Sequence, residues 1–173
     1  MQKFASLSDA IALAEFAHRN QLDKAGLPYI DHPRRVLEKV KAQGALPYVQ
    51  IAAILHDVTE DTSFTDTMLI QLGFSEAAVN IVRLLDRDRN AEYGYTNDEY
   101  YTRIAADPGA KMVKLADIED NLSPWRQSYL TPETQHRLRR KYRRAVLILE
   151  HGLTGEVLEK SMKNWDEENQ QES

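Results

Sequence analysis

The sequence predicts an all-α protein, a bundle of short helices, and three observations carry that prediction. Apolar residues recur at helical rather than alternating spacing along almost the whole chain. Several of the segments so patterned open on Ser, Thr or Pro, and several are followed by Gly. One of them, residues 48–59, is apolar nearly all round, which marks a helix enclosed by others.

Each element follows in turn. Ser6-Leu7-Ser8-Asp9 has the spacing of a capping box, and Ala10, Leu13, Ala14 and Ala17 then share one helical side, with an end expected near Gln21. Residues 22–31 contain Gly26 and Pro28 and read as a loop, after which His32-Pro33 opens a second helix, because proline is tolerated in a first turn. Gly44 and Pro47 bracket the next break, and the run VQIAAILHDV supplies the central helix. Residues 65–72 and 75–85 read as two helices divided by Gly73, and residues 86–96 as a polar loop. A helix over 98–106, a turn at Asp107-Pro108-Gly109 and a helix over 110–122 come next. Thr131-Pro132 then provides an N-cap with proline at the first helical position. The long helix it opens carries Leu138, Tyr142, Ala145 and Leu149 as a stripe and ends at Gly152 and Gly155. Residues 1–160 are expected to form one domain, and 161–173 a frayed tail.

Composition narrows the function classes. A chain of 173 residues, 42% hydrophobic, can build one good core and not two comfortable ones. Its net charge of -5 gives no general attraction to nucleic acid or to an anionic membrane, so an anionic substrate would need a local basic pocket. Without cysteine there is neither a disulfide framework nor a thiolate metal site. The start MQKFASLSDA lacks the apolar run of a signal peptide, and no stretch reaches the ~20 apolar residues that cross a bilayer. A cytoplasmic location is the expectation.

The chemistry concentrates in AAILHDVTEDT, residues 52–62, where an apolar segment runs into His56, Asp57, Glu60 and Asp61. On a helix His56 and Glu60 lie one turn apart, as do Asp57 and Asp61. Read as ordinary solvated residues they fit poorly, because carboxylates at a helix C-terminus meet the negative end of the macrodipole. A divalent cation would offset them, and imidazole with carboxylate suits Mn, Fe or Zn better than Ca or Mg. His32 in YIDHP and Asp117, aligned with the apolar Val113 and Ala116, are available to complete the ligands. Taken singly, His32 also reads as a helix-start residue and Asp117 as a salt-bridge partner; only their joint occurrence argues for a metal.

The three runs KAGLPYIDHP, HDVTEDT and KLADIEDN, in that order, resemble the HD-domain metal-dependent phosphohydrolases. Within these the likeness is to the hydrolase domain of the RelA/SpoT stringent-response enzymes and to the small alarmone hydrolases, and it covers residues 14–122. The resemblance implies an HD-domain helical bundle in which His32, His56, Asp57 and Asp117 hold a single metal, Mn²⁺ in most of the family. It makes Glu60 and Asp61 the pair that positions and activates water, Asn121 a substrate contact and Lys24 a phosphate contact. A pyrophosphate needs cations around it, and Lys24, Lys114, Arg87 and Arg89 are available for that, although each alone also reads as a surface charge.

Two departures bear on the substrate. Asp23 stands where the alarmone hydrolases carry an arginine that stacks on guanine, and an acid offers no cation-π surface. LLDRDRN, residues 84–90, stands where the family shows a threonine-lysine pair. His136 and His151 have no companion spacing of the HD kind, so the sequence favours one metal over two; His18 reads first as a packing or hydrogen-bonding residue and second as a substrate contact. HRLRRKYRRA, residues 136–145, gives one face to Leu138, Tyr142 and Ala145, so its arginines read as a solvated face or as partners of acidic loops, and a contact with a second copy of the chain stays open.

The leading expectation is therefore a guanosine 3′,5′-bis(diphosphate) 3′-pyrophosphohydrolase with a nucleotide substrate and neither a nucleic-acid polymer nor a membrane as partner. Two alternatives stand beside it. One is an HD phosphohydrolase for an adenine alarmone or a simple nucleoside phosphate; the other is a non-catalytic nucleotide-binding module, against which the presence of both Glu60 and Asp61 speaks.

Overall fold

The computed structural model describes residues 5–170 as a bundle of α-helices whose secondary structure otherwise amounts to one isolated bridge between Leu22 and Pro28. Helix α1 spans Leu7–Ala17 and starts on the expected capping box of Ser6 and Asp9. It stops one turn earlier than Gln21, because the His18 side chain turns inward to Gln21 and the chain leaves the helix there. Helices α2 (Asp31–Ala42) and α3 (Pro47–Leu55) pack on each other, and α3 also meets α1, α6 and α9. Every residue from Ile51 to Leu55 is buried, as the apolar pattern requires.

The central helix does not continue to residue 59. It breaks after Leu55, and a separate turn of helix, α4, spans Val58–Asp61 with Asp57 at its N-cap position. The break has a side-chain cause: His56 Nδ1–H donates to the Ala53 carbonyl at 2.8 Å, taking up a carbonyl that a helix end leaves without a partner. Glu60 and Asp61 consequently sit in a first turn rather than a last one. The expected conflict with a helix C-terminal dipole does not arise, and the case for a metal rests on geometry instead.

Thr65 and Ser75 cap α5 (Asp66–Gln71) and α6 (Glu76–Leu85) through their side chains, matching the division at Gly73. The stretch expected to be a polar loop contains α7, Arg87–Glu92, because Asp86 accepts from the Arg89 N–H and serves as its N-cap. Helix α8 covers Asn97–Ala105. The turn at Asp107-Pro108-Gly109 is the start of α9 itself, Pro108–Asn121, with Asp107 capping it. At Gly109 a Cβ would lie 2.6 Å from Ile81 Cδ1 and 3.1 Å from Val49 Cγ2, so a larger residue would have to displace the Ile81 side chain where α9 meets α6 and α3.

After a short α10, Pro124–Gln127, the long α11 runs from Pro132 to His151 and ends on Gly152, which takes the left-handed conformation at φ 62°. Helix α12, Gly155–Gln170, corrects the expectation of a frayed tail from residue 161. Leu158 and Met162 are buried on the same core that begins at Ala10. Arg140 pairs with Asp166, and Arg144 with Glu159 and with Asp98 of α8. Arg140 and Arg144 of α11 thus bind neighbouring helices. Residues 171–173 of the expected tail lie outside the described residues.

Candidate metal centre and active site

Four side chains from three helices meet at one end of α3. His32 comes from the first turn of α2, His56 and Asp57 from the break after α3, and Asp117 from the last turns of α9. One ligand atom each from His32, His56 and Asp57 lies within 4.8 Å of the others. Asp117 Oδ1 is 3.1 Å from His32 Nε2 and 4.0 Å from His56 Nε2. His56 Nε2 is buried with no hydrogen-bond partner, although Asp57 Oδ2 is only 3.1 Å away. The two atoms are in ion-pair range without the alignment of a good hydrogen bond, and one cation beside them could be bound by both.

The tautomers agree with this. The Ala53 carbonyl can only accept, so His56 carries its proton on Nδ1 and leaves Nε2 bare. His32 Nδ1 lies 2.7 Å from Asp120 Oδ2, which likewise turns Nε2 toward Asp57 and Asp117. The residues present therefore fit a divalent cation with two imidazole nitrogens and two carboxylates.

Electrostatics report the same concentration of negative charge. Burial alone would lower His56, but the Asp57 charge outweighs it and pushes the imidazole up to about 9. His32 is raised in the same way, burial being overcome by its contacts with Asp117 and Asp120. Burial would raise Asp57, yet His56 holds it well below the usual carboxylate range. Asp117 is also depressed, against burial, by Lys114 and then His32. Carboxylates this strongly ionised, in so buried a place, draw protons onto the neighbouring imidazoles, positions a divalent cation would satisfy instead.

Glu60 and Asp61 leave α4 toward different neighbours. Glu60 Oε2 accepts the Arg87 N–H at 2.8 Å, and burial raises its carboxyl although that N–H opposes the shift. Asp61 Oδ2 accepts from Gln21 Nε2 at 3.0 Å, and Gln21 Oε1 in turn meets His18 Nδ1 at 2.7 Å. His18 is thus the hydrogen-bonding residue that was expected. Beside Asp61 opens a cleft of about 390 Å³, whose wall includes Lys24, Tyr29, Asn121, Arg126 and Tyr142.

The expected substrate contacts divide into two groups. Lys24 and Asn121 line the cleft, Asn121 also donating to Asp117 Oδ1 at 2.6 Å. Lys114 holds Asp117 Oδ2 at 2.8 Å and so lies against the ligand set. Arg87 is exposed, its guanidinium on Asn97 at 3.0 Å, and reaches the site through its backbone N–H to Glu60. Arg89 is spent elsewhere: with Arg83 it clamps Asp66, at 2.7 and 2.6 Å. Asp23 lines the cleft beside Lys24 and turns one carboxylate oxygen onto the N–H groups of Ala25 and Leu27, which shapes the Lys24 loop.

Sequence reading passed over several participants. Asp120, three residues after Asp117, shares its helical face and is 1% exposed. Tyr29 donates to Asp57 from the loop before His32, and nothing in a sequence marks a tyrosine as a tether of this kind. Lys141 had a visible signal: it stands three residues after Leu138 and one before Tyr142, on the stripe assigned to the core. It is half-buried, and burial followed by repulsion from Arg87 and Lys114 lowers it to about 8.

No protein-family model matches the chain. Over 173 aligned residues it is 31% identical to the mouse guanosine-3′,5′-bis(diphosphate) 3′-pyrophosphohydrolase MESH1, covering 95% of this chain and 94% of that protein. The chain belongs to the HD-domain family of MESH1 and RelA/SpoT-type hydrolases. Human MESH1 matches at 31% identity over 92% of each chain. A probable GTP pyrophosphokinase of Mycobacterium leprae matches at 34% identity over 83% of this chain and 19% of its own length. The chain thus spans about a fifth of the length of the pyrophosphokinase and RelA relatives it matches. Among solved structures, one described as a metazoan ortholog of SpoT that hydrolyzes ppGpp superposes with a TM-score of 0.70 over 95% of both chains at 24% identity, which shows the HD-family bundle. Among the described residues no helix is long and apolar enough to cross a membrane.

Proposed function

We propose that this chain is a metal-dependent guanosine 3′,5′-bis(diphosphate) 3′-pyrophosphohydrolase using one divalent ion, Mn²⁺, held by His32, His56, Asp57 and Asp117. The observation that carries the reading is the convergence of those four side chains, with a buried His56 Nε2 that makes no aligned hydrogen bond, beside Glu60 and Asp61 in a chain 95% of which aligns with mouse MESH1. A divalent ion bound there would polarise a phosphoryl oxygen and acidify water.

The protein's own groups have separate tasks. Glu60, raised by burial and fixed by the Arg87 N–H, is suited to take a proton from the attacking water. Asp61, anchored by Gln21 at the cleft wall, orients that water. Lys24 and Asn121 bind the nucleotide from the cleft side, and Lys114 and Lys141 supply positive charge toward the departing pyrophosphate. Water adds at the 3′ phosphorus, the 3′ oxygen leaves, and the products are GDP and intact pyrophosphate.

The direct test is to incubate the Mn²⁺-loaded protein with guanosine 3′,5′-bis(diphosphate) and identify the products by ³¹P NMR. Pyrophosphate with GDP is expected; orthophosphate alone, or no turnover, rejects the assignment. Base preference is a separate matter. Because Asp23 is occupied in shaping its loop, the guanine and adenine 3′-diphosphates are expected to differ by less than tenfold in kcat/KM, about 1.4 kcal/mol. A hundredfold preference for guanine would mean that another residue reads the base.

A further inference from the structure

Asp120 is the most completely satisfied carboxylate near the site and touches none of the space a substrate would use. Its Oδ2 lies 2.7 Å from His32 Nδ1 and accepts from Arg126 Nη1 at 3.0 Å and Arg35 Nη2 at 3.1 Å; its Oδ1 accepts from Arg35 Nε at 2.7 Å. The side chain is 2% exposed, and Arg35 is held in turn by stacking on Trp125 at 4.6 Å. A buried carboxylate with donors from α2, α9's neighbour α10 and an imidazole is fixed in orientation. The two arginines keep it an acceptor, so the hydrogen between it and His32 belongs to the imidazole.

We propose that Asp120 is the positioning residue of the metal centre: it locks His32 in the Nδ1–H tautomer, with Nε2 turned to the ion, and thereby sets the affinity for metal without touching metal or substrate. This deepens the assignment above and rests on its metal site. The alternative for a histidine at a helix start is a ring free to rotate, with either nitrogen protonated. Here rotation would break the bond to Asp120 and leave a buried carboxylate oxygen short of a donor. Outer partners of metal-bound histidines are worth roughly 10- to 100-fold in metal affinity.

The experiment titrates metal-free protein with Mn²⁺, following free Mn²⁺ by EPR, for wild type, Asp120→Asn and Asp120→Ala. Both variants are checked for folding by circular dichroism. The proposal expects Kd to rise about 10-fold or more in Asp120→Ala and less in Asp120→Asn, whose amide oxygen can still accept from His32. Activity of Asp120→Asn should return toward wild type at saturating Mn²⁺. A merely structural role would lower the melting temperature and leave Kd alone. Values of Kd within threefold of wild type in both folded variants overturn the proposal.

A variant-free measurement covers the case in which neither substitution folds. In wild type loaded with diamagnetic Cd²⁺, long-range ¹H–¹⁵N spectra should show His32 protonated on Nδ1 and metal-bound through Nε2; the opposite tautomer overturns the proposal. If wild type itself binds no Mn²⁺, the metal-site assignment fails first, which is distinguishable from a wild type that binds while Asp120 proves indifferent.

Discussion

The Tyr29 hydroxyl donates to Asp57 Oδ2 at 2.6 Å, tying the cleft loop to the break between α3 and α4 across 28 positions of sequence. Burial, then the charge of Asp57, pushes the phenol far above its ordinary range, so it remains a neutral donor at any working pH. Tyr29→Phe keeps the ring against His18 and His32 and removes only that hydrogen bond. A bond to a charged group is worth about 1.5–3 kcal/mol, and the outer-partner effect on metal is roughly tenfold at its low end. We expect a lowered melting temperature together with a weaker Mn²⁺ affinity. An unchanged Kd in the titration would reduce Tyr29 to a loop tether.

Glu60→Gln preserves the shape of the side chain and its acceptance of the Arg87 N–H, but the amide cannot take a proton from water. Turnover should fall roughly 10²- to 10⁴-fold while Mn²⁺ affinity stays within threefold. Single-turnover kinetics at saturating metal decide it: wild-type rates in Glu60→Gln transfer the base role to Asp61.

Lys24 and Arg89, both expected from the sequence to meet phosphate, should separate cleanly. Lys24 lines the cleft, whereas Arg89 is held on Asp66. Lys24→Met should reduce kcat/KM about tenfold or more with little change in melting temperature. Arg89→Met should do the reverse, lowering the melting temperature and leaving kcat/KM within threefold. Equal kinetic losses in the two variants would show that Arg89 leaves Asp66 when substrate binds.

Lys141 gives a dependence on pH with a definite sign. Burial, then the charges of Arg87 and Lys114, depress it from 10.5 to about 8, so between those values the folded protein binds fewer protons than the unfolded chain. Stability present above pH 10.5 is therefore lost as pH falls toward about 8, and stays lost below it. Lys141→Met should melt higher than wild type at pH 7, by about 2 °C or more if ~1 kcal/mol survives solvent screening, with the gap closing above pH 10.5. The same variant should bind nucleotide more weakly at pH 7. In wild type KM should rise above pH 8 as the lysine loses its charge, and Lys141→Arg should flatten that limb. A KM independent of pH between 7 and 9.5 in wild type would remove Lys141 from the substrate's surroundings.

Much of the molecule was legible because its signals are local. Caps at Ser6, Thr65, Ser75 and Thr131 are side chains acting on backbone three residues away, so spacing alone reveals them. The four side chains that converge could be named from HDVTEDT, YIDHP and KLADIEDN because each run carries its polar group at a fixed offset from an apolar pattern or a proline. Helix α12 escaped because NWDEENQQES is polar, and what holds the segment is Leu158 and Met162 meeting a core supplied by distant helices.

What the sequence by itself determined is an all-helical chain whose motifs single out two histidines and several carboxylates as candidate metal ligands. Only the tertiary structure decided which charges face one another. Arg89 and Lys24 are equivalent cations in a string of letters, yet one is paired with Asp66 and the other borders the cleft. Asp117 and Asp120 are likewise two acids on one helix, yet one faces both histidines' Nε2 and the other grips His32 from behind. Charge–charge energy depends on distance and burial, and both are fixed by packing between helices far apart in the chain, so no local pattern can carry them.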